Sequence, residues 1–163
     1  MRIRPAAPGD AEAVRAIYNH EVTAGATTFD LVPRTPAEQR AWLEGHRGAH
    51  PAVVAVEEPG GDVLGFGALS PFRERPAYAT TVEDSVYVDE GSRGRGVGRG
   101  VLEELVRLAG RHGFHTVVAR VVGHNEASVG LHRACGFELV GVEREVGRKH
   151  GRWLDVVELQ RML

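Results

Sequence analysis

Ser92 to Gly100 reads Ser-Arg-Gly-Arg-Gly-Val-Gly-Arg-Gly, with a glycine at every second position from Gly94 onward. The stretch follows a β-favouring segment that ends in Val86-Tyr87-Val88, and it precedes an apolar pattern of helical spacing. Glycine adopts backbone angles that other residues avoid, so such a loop can turn several N–H groups into one concavity. The next helix adds unpaired N–H groups and the positive end of its dipole. The stretch therefore predicts a strand–loop–helix unit that binds a diphosphate, with the arginines as hydrogen-bond donors.

Two other phosphate-binding motifs do not match this loop. A nucleotide P-loop needs Lys followed by Ser or Thr after its last glycine, and neither pair follows here. The dinucleotide fingerprint Gly-x-Gly-x-x-Gly is not cleanly matched, because Gly98 comes one residue early and the loop lies past the midpoint of the chain. A solvated surface loop rich in Gly and Arg is the remaining alternative.

Outward from this unit, the chain alternates strand and helix signals. Thr35, followed by Pro36 and then Glu38, is typical of a capped helix start, and Asp10 is a second candidate N-cap. In chain order the predicted elements are a strand at Ile3, helices after Asp10 and Thr35, strands at 53–57, 63–69 and 80–88, a helix at 101–109, a strand at 116–122, a helix from Asn125 or Glu126 to Gly136, and strands at 137–142 and 153–159. The order predicts one α/β domain over residues 1–163.

Composition limits the classes of function. A length of 163 residues with 42% hydrophobic residues fits a single globular domain, and a net charge of −2 argues against a nucleic-acid-binding module. Cys135 is the single cysteine, so no internal disulfide is possible, and the N-terminus has no apolar stretch of signal-peptide length. We therefore expect a cytoplasmic protein. No histidine pair has ligand spacing with Cys or acidic partners, so we predict no metal site.

The motifs carry a resemblance to a known family. Arg93-Gly94-Arg95-Gly96-Val97-Gly98 matches the Gln/Arg-x-x-Gly-x-Gly/Ala signature of the GNAT superfamily of N-acetyltransferases. Asn125-Glu126-Ala127-Ser128, followed by residues 131–137, is similar to that superfamily's second element. Residues 18–22, 80–88 and 149–156 resemble the phosphinothricin and methionine sulfoximine acetyltransferase group. The resemblance thus runs from about Arg2 to the C-terminus.

This resemblance implies a fold and a co-substrate. The fold is α/β (α+β), a mixed and mostly antiparallel sheet of about seven strands with a splayed pair, flanked by about four helices. The co-substrate is acetyl-CoA, with its pyrophosphate on the glycine-rich loop and its pantetheine arm along the splayed strand. Backbone N–H groups around Tyr87 and Val88 are the expected oxyanion donors. The cofactor-binding residues so implied are Val86, Tyr87, Val88, Arg93, Gly94, Arg95, Gly96, Val97, Gly98, Asn125 and Ser128.

Two residues are candidate catalysts by the same resemblance. Glu83 corresponds to the glutamate of the family's Glu-x-Ser/Thr-Val-Tyr-Val pattern and is the expected base, acting through water, because an alkyl ammonium must lose a proton before it attacks a thioester. Asp84 is the local competitor, and an ordinary strand carboxylate is the alternative. His132 stands where many superfamily members have a tyrosine acid; a role as acid, as acceptor contact or in packing stays open.

The acceptor is expected between two strands, at Phe72 to Tyr78. Arg73 and Arg75 can clamp a carboxylate while Tyr78 and Phe29 shape a pocket, although surface arginines are common. The resemblance implies N-acetylation of the α-amino group of a small amino acid or analogue (phosphinothricin, methionine sulfoximine or methionine sulfone), with detoxification or resistance as the role.

Two alternatives stay open at the level of sequence. One keeps the fold with another acceptor, such as a polyamine, an aminoglycoside or a protein N-terminus, and the other is a non-catalytic acyl-CoA-binding sensor. The family also implies a homodimer, with Lys149 to Trp153 in a loop near its interface and Trp153 engaged in packing.

Overall fold

A computed structural model describes residues 1–59, 61–123 and 125–163 of the chain. Within those residues there are seven β-strands, β1 (Arg2–Pro5), β2 (Ala52–Val56), β3 (Val63–Pro71), β4 (Thr81–Val88), β5 (Thr116–Val122), β6 (Glu138–Lys149) and β7 (Arg152–Met162), and four α-helices, α1 (Ala11–Thr23), α2 (Pro36–Gly45), α3 (Val97–Arg111) and α4 (Glu126–Ala134). None of the described helices is long and apolar enough to cross a membrane.

The strands form one sheet in the order β1-β2-β3-β4-β5-β7-β6. Every neighbouring pair is antiparallel except β4 and β5, which run parallel. The β4–β5 ladder joins Thr81–Asp84 to Thr116–Ala119 and ends there, while β4 continues to Val88 alongside β3. The mixed sheet, its splayed pair and the four helices confirm the predicted fold class.

Two helical layers cover the sheet, and β4 presents alternate residues to each of them. Val82, Val86 and Val88 pack in a core with α3 and α4 side chains, whereas Tyr87 packs with α1 in a second core. Because successive strand residues point to opposite faces, Glu83 shares the α1 face with Tyr87, and Asp84 shares the α3–α4 face with the valines.

Two glycines of β3 bring α3 close to the sheet. A Cβ on Gly67 would lie 2.7 Å from both the Ser85 carbonyl oxygen and Val101 Cγ1, and a Cβ on Gly65 would lie 2.8 Å from the Tyr87 carbonyl oxygen. Real Cβ atoms do not come so near to such neighbours, so these positions require glycine. The close approach sets the height of α3 above β4, and with it the position of the glycine-rich loop.

Of the two predicted helix N-caps, one caps its helix as expected and the other does not. Thr35 caps α2 as expected, since its hydroxyl accepts from the Glu38 N–H at 3.2 Å while the Glu38 carboxylate accepts from the Thr35 N–H at 2.7 Å. Asp10 stands at the start of α1, but its side chain does not cap that helix. Its carboxylate instead accepts hydrogen bonds from the Arg4 guanidinium at 2.7 and 2.8 Å.

The last hairpin is longer than predicted. The sequence indicated strands at 137–142 and 153–159, whereas β6 and β7 extend to a turn at His150 and Gly151, both with positive φ. Charged residues hid this extension, since β6 is an edge strand whose exposed side chains need not alternate with apolar ones. The register shift between Glu143 and Gly147 breaks the remaining periodicity.

Candidate active site

The glycine-rich loop lies at the N-terminus of α3, as predicted. Gly94 and Gly96 have φ of +74° and +81°, values that side-chain-bearing residues rarely adopt. Gly96 is the N-cap, so the helix begins at Val97, four residues before the apolar pattern that indicated it. The first turn of α3 therefore belongs to the loop, and its unpaired N–H groups can face an anion.

Each of the three arginines in and next to the loop pairs with a different glutamate. Arg93 forms an ion pair with buried Glu21 of α1. Arg95 donates to Glu57 at 2.7 Å, and Arg99 donates to Glu103 at 2.8 Å. Arg93 and Arg99 line the main cavity of the molecule, whereas the Arg95 guanidinium is directed to the end of β2.

That cavity, of about 610 Å³, passes through the sheet where β4 and β5 diverge. Residues from both faces line it: Glu83 and Thr28 on the α1 side, His132 and the loop on the α3–α4 side. The candidate residues that it brings together are Phe29, Glu83, Val86, Tyr87, Val88, Arg93, Gly94, Gly96, Val97, Gly98, Asn125, Ser128 and His132.

Residues 85–88 of β4 provide main-chain groups inside this cavity. They pair with β3 on one side, and on the other side they face the gap left by the end of the β4–β5 ladder. In an antiparallel pair, alternate residues direct their N–H groups away from the partner strand. The gap therefore offers backbone donors beside Glu83, a geometry suited to binding a developing oxyanion.

Glu83 is half-buried on the α1 side of the cavity. Burial raises the pKa of its carboxyl above the ordinary value; the positive charge of Arg120 opposes this, and so does that of Arg73. A carboxyl with a raised pKa is a better proton acceptor near neutral pH than an ordinary surface glutamate.

His132 and Asp84 form a buried pair on the opposite side. His132 Nε2 lies 3.1 Å from Asp84 Oδ2, and His132 Nδ1 lies 2.7 Å from the Ser128 carbonyl oxygen. Burial alone would lower the pKa of His132, but the hydrogen bond and charge of Asp84, with the Ser128 carbonyl, raise it above the ordinary value. Adjacent carboxylates thus have separate surroundings, Glu83 beside Arg120 and Asp84 beside His132.

Comparison with known proteins shows which family the chain belongs to. Residues 13–137 match the model of the acetyltransferase (GNAT) family. The chain belongs to the GNAT acetyltransferases. A phosphinothricin N-acetyltransferase of Streptomyces coelicolor is 40% identical over all of this chain and 96% of its own length. An L-methionine sulfoximine/L-methionine sulfone acetyltransferase of Pseudomonas paraeruginosa is 38% identical over 97% of this chain and 92% of its own length. This GNAT protein is therefore an N-acetyltransferase related to those enzymes.

Solved GNAT structures superpose on the chain throughout. A ribosomal-protein-alanine N-acetyltransferase from Brucella melitensis has a TM-score of 0.96 at 36% identity, with all of both chains covered. A phosphinothricin acetyltransferase from Sinorhizobium meliloti in complex with AcCoA has a TM-score of 0.92 at 39% identity, covering 99% of this chain and 88% of its own.

The predicted acceptor clamp lies apart from the main cavity of this GNAT enzyme. Arg73, Arg75 and Tyr78 line a separate surface pocket with Glu74. The Arg73 guanidinium lies over the rings of Phe72 and Tyr78, 4.9 and 5.7 Å from their centroids. Of the four predicted acceptor residues, Phe29 reaches the main cavity, whereas Arg73 acts on Glu83 through its charge.

Several polar residues that line the cavity were not predicted from the sequence, among them Glu21, Thr28, Asp30 and Arg120. Arg120 had a visible signal, because it is the one charge in the apolar run 116–122 that was expected to be buried on both faces. It is exposed and pairs with Glu143. Glu21 lies in the 18–22 stretch that resembles the family, although no role was assigned to it there. Thr28 and Asp30 lack a motif of their own, and the fold brings them to the site.

The segment around Lys149 also differs from expectation. Lys149 is not in a loop but at the buried end of β6, where its ammonium donates to the carbonyl oxygens of Glu21 at 3.2 Å and Thr28 at 3.0 Å. Trp153 is 60% exposed in this single chain, so its packing near a dimer interface stays a prediction. Lys149 thus ties the β6–β7 hairpin to the segment that carries Thr28 and Phe29.

Proposed function

We propose that this enzyme transfers the acetyl group of acetyl-CoA to the α-amino group of a small amino acid or analogue of the phosphinothricin, methionine sulfoximine or methionine sulfone type. One observation carries the proposal: a single cavity joins the glycine-rich loop to the half-buried carboxylate of Glu83 through the gap in the sheet. The names of the Streptomyces and Pseudomonas relatives support this class of acceptor.

On the α3–α4 side, the cavity suits the co-substrate. We infer that the pyrophosphate binds the backbone of Gly94 to Gly98 and the guanidinium of Arg93. The pantetheine arm would continue along Val86–Val88, past Asn125 and Ser128, and the acetyl oxygen would accept from the unpaired N–H groups of β4. The S. meliloti relative, solved with AcCoA, supports acetyl-CoA as the donor.

On the α1 side, the cavity suits the amine. Glu83 is the proposed base: it takes a proton from the ammonium, directly or through water, so that a neutral amine attacks the thioester. Phe29 would contact the acceptor side chain. Arg73 and Arg75, with Tyr78, remain the proposed carboxylate clamp, which requires the acceptor to extend from Glu83 toward their separate pocket.

Further parts of the proposal concern the protein's setting. We propose one domain over residues 1–163, no metal requirement, a cytoplasmic location, and a role in detoxification or resistance. We also propose a homodimer, supported by the exposed apolar side chains Val140, Val142, Val146 and Trp153 on the last hairpin. Sedimentation of the protein as a monomer at micromolar concentration would refute the proposed homodimer.

The deciding experiment follows thiol release from acetyl-CoA over a panel of amines: the three analogues, the common amino acids, spermidine and an aminoglycoside. We expect turnover with the analogues, and a drop in kcat of about 10²-fold or more for Glu83→Gln, since a positioned base contributes roughly that much. Acetyl-CoA binding by Glu83→Gln, measured by calorimetry, should equal wild type. Turnover with the bulky cations alone would refute the acceptor class.

One structural neighbour favours a second candidate acceptor. The B. melitensis protein is described as a ribosomal-protein-alanine N-acetyltransferase, and its chain superposes with a TM-score of 0.96. A peptide with an N-terminal alanine therefore belongs in the panel. A kcat/KM for the peptide above that for every free amino acid and analogue would make a protein N-terminus the proposed acceptor instead.

A further inference from the structure

The ring of Phe29 lies directly against a glycine of β6. A Cβ added to Gly147 would lie 2.9 Å from Phe29 Cε2 and nearer still to Cε1 and Cζ, separations that real Cβ atoms do not show. The φ of Gly147 is not positive, so the main chain itself would accept an alanine at this position. It is therefore the aromatic ring, and not the backbone conformation, that requires a glycine here.

Three features bring Gly147 to the ring. The register of β6 with β7 shifts just before Gly147, and such an irregularity changes the direction of a strand. Beyond the shift, the Lys149 ammonium donates to the Thr28 carbonyl oxygen at 3.0 Å, and His150 Nε2 lies 3.2 Å from the Gly25 carbonyl oxygen. The end of β6 is thus fastened to the segment that follows α1.

The main chain on both sides of Phe29 is also held in place. Thr28 is buried, and its hydroxyl oxygen lies 3.0 Å from the Tyr18 hydroxyl. On the other side, the Asp30 N–H donates to the Thr28 hydroxyl oxygen at 3.2 Å, and the Asp30 carboxylate accepts from the Tyr18 hydroxyl at 2.5 Å. Because these contacts fix the backbone, a methyl group on Gly147 would be accommodated chiefly by rotation of the ring.

Rotation of the ring would change the acceptor side of the cavity. Phe29 lines the cavity together with Glu83, the proposed base. The ring has Gly147 at one end and the cavity beside it, so a ring displaced from β6 moves into the space that it lines. The position of the ring therefore limits the size of the side chain that can accompany an amine held at Glu83.

We propose that Gly147 determines which acceptors fit: its lack of a side chain lets the ring of Phe29 lie against β6. The space kept open admits the linear side chain of the analogues, while the ring itself excludes an aromatic side chain. Phe29 contacts the acceptor, and Gly147 is a positioning residue that acts through it. This inference rests on the proposed acetyl transfer and adds the pair of residues that limits the size of the acceptor.

The test is a double-mutant cycle of Gly147→Ala and Phe29→Leu. Leucine lacks the Cε and Cζ atoms that the new methyl group would meet, so the second change removes the clash. Each variant is compared with wild type by kcat and KM for the preferred analogue and for phenylalanine, and by the acetyl-CoA Kd from calorimetry. Gly141→Ala is the matched control, a glycine of the same strand whose Cβ would meet no described atom within 4 Å.

We expect Gly147→Ala to raise the KM for the analogue about tenfold, since a change of one methylene in a pocket has an effect of that order. The acetyl-CoA Kd should stay unchanged, because the ring lies on the acceptor side. Phe29→Leu should raise kcat/KM for phenylalanine relative to the analogue, again about tenfold. Adding Gly147→Ala to Phe29→Leu should leave the analogue KM as it is in Phe29→Leu alone. Gly141→Ala should match wild type throughout.

Two results would overturn the proposal: an unchanged analogue KM in Gly147→Ala, or an equal rise in KM with and without Phe29→Leu. If Gly147→Ala does not fold, the double variant decides, since it should fold and match Phe29→Leu. A double variant that also fails to fold, or that differs in KM, would show that the ring is not the obstacle. A wild-type enzyme that acetylates none of the analogues would refute the proposed function itself, whereas turnover that does not depend on Gly147 would refute the role of the glycine alone.

Discussion

Adjacent residues with the same functional group have different surroundings in this enzyme. Glu83 and Asp84 follow one another on β4, yet one faces Arg120 and the other His132, because strand residues alternate between faces. The sequence predicted Glu83 as the base and Asp84 as its competitor. The alternation of strand residues shows that the Glu83 and Asp84 side chains point to opposite faces of the sheet. It does not show which face His132 of α4 packs against, because that depends on the position of the helix. The pairing of Asp84 with His132 therefore could not be predicted from the sequence.

At the residue scale, Arg120→Met tests the tuning of Glu83. Arg120 lowers the pKa of the Glu83 carboxyl against the effect of burial, so removing its charge should raise that pKa further. A base must be ionised to act, and the acidic limb of the kcat/KM profile should therefore move to higher pH. The control is Arg107→Met, an arginine on α3 that also pairs with a glutamate. Identical acidic limbs for the two variants would show that Arg120 does not tune the base.

Among the elements, α3 and its loop were predicted most fully. Alternating glycines and the apolar pattern indicated a loop and helix after β4, and the left-handed φ of Gly94 and Gly96 agrees with the reason for glycine there. What the pattern did not indicate is the contact of α3 with Gly65 and Gly67 of β3, since a glycine in a strand gives no sign of which neighbour comes close.

Gly67→Ala tests this contact at the scale of the element. The added methyl group would lie 2.7 Å from the Ser85 carbonyl oxygen and Val101 Cγ1, so α3 must move or the sheet must deform. We expect a loss of about 1–3 kcal/mol in the free energy of unfolding in urea, with weaker acetyl-CoA binding by calorimetry. Gly110→Ala is the control: it lies on α3 with open space at its Cβ, and it should stabilise by up to about 1 kcal/mol. Equal stability of the two variants would contradict the close packing.

Across the whole molecule, the last hairpin contacts the end of α1 and the segment that follows it, beside the cavity. Lys149, at the end of β6, donates to main-chain oxygens of Glu21 and Thr28, while Glu21 pairs with Arg93 of the loop. Burial lowers the pKa of the Lys149 ammonium, and two carbonyls and nearby carboxylates compensate for its burial. The β6–β7 hairpin thus holds the segment that carries Thr28 and Phe29.

Lys149→Met tests this connection. The change keeps a long apolar side chain but leaves two carbonyls without their donor, at a cost of about 1–3 kcal/mol for the buried groups. Because the carbonyl of Thr28 precedes Phe29, we expect the KM for the acceptor amine to rise more than the KM for acetyl-CoA. Arg144→Met, an exposed change on the same strand, is the control. Equal changes in both KM values, or none, would show that the tie does not shape the acceptor side.

The sequence by itself predicted the strand–loop–helix unit and the α2 cap from short-range signals: glycine φ preferences, capping pairs and apolar periodicity. The mixed sheet and the family followed instead from the resemblance of its motifs to known acetyltransferases. It also named 13 of the 28 residues that line the cavity, through motifs whose members lie within a few positions of one another. Only the tertiary structure decided that Arg73 and Arg75 line a separate pocket, that Arg120 lies beside Glu83, and that Asp84 pairs with His132. These contacts join residues far apart in the chain, and side-chain direction across a splayed sheet depends on how the helices pack against its two faces.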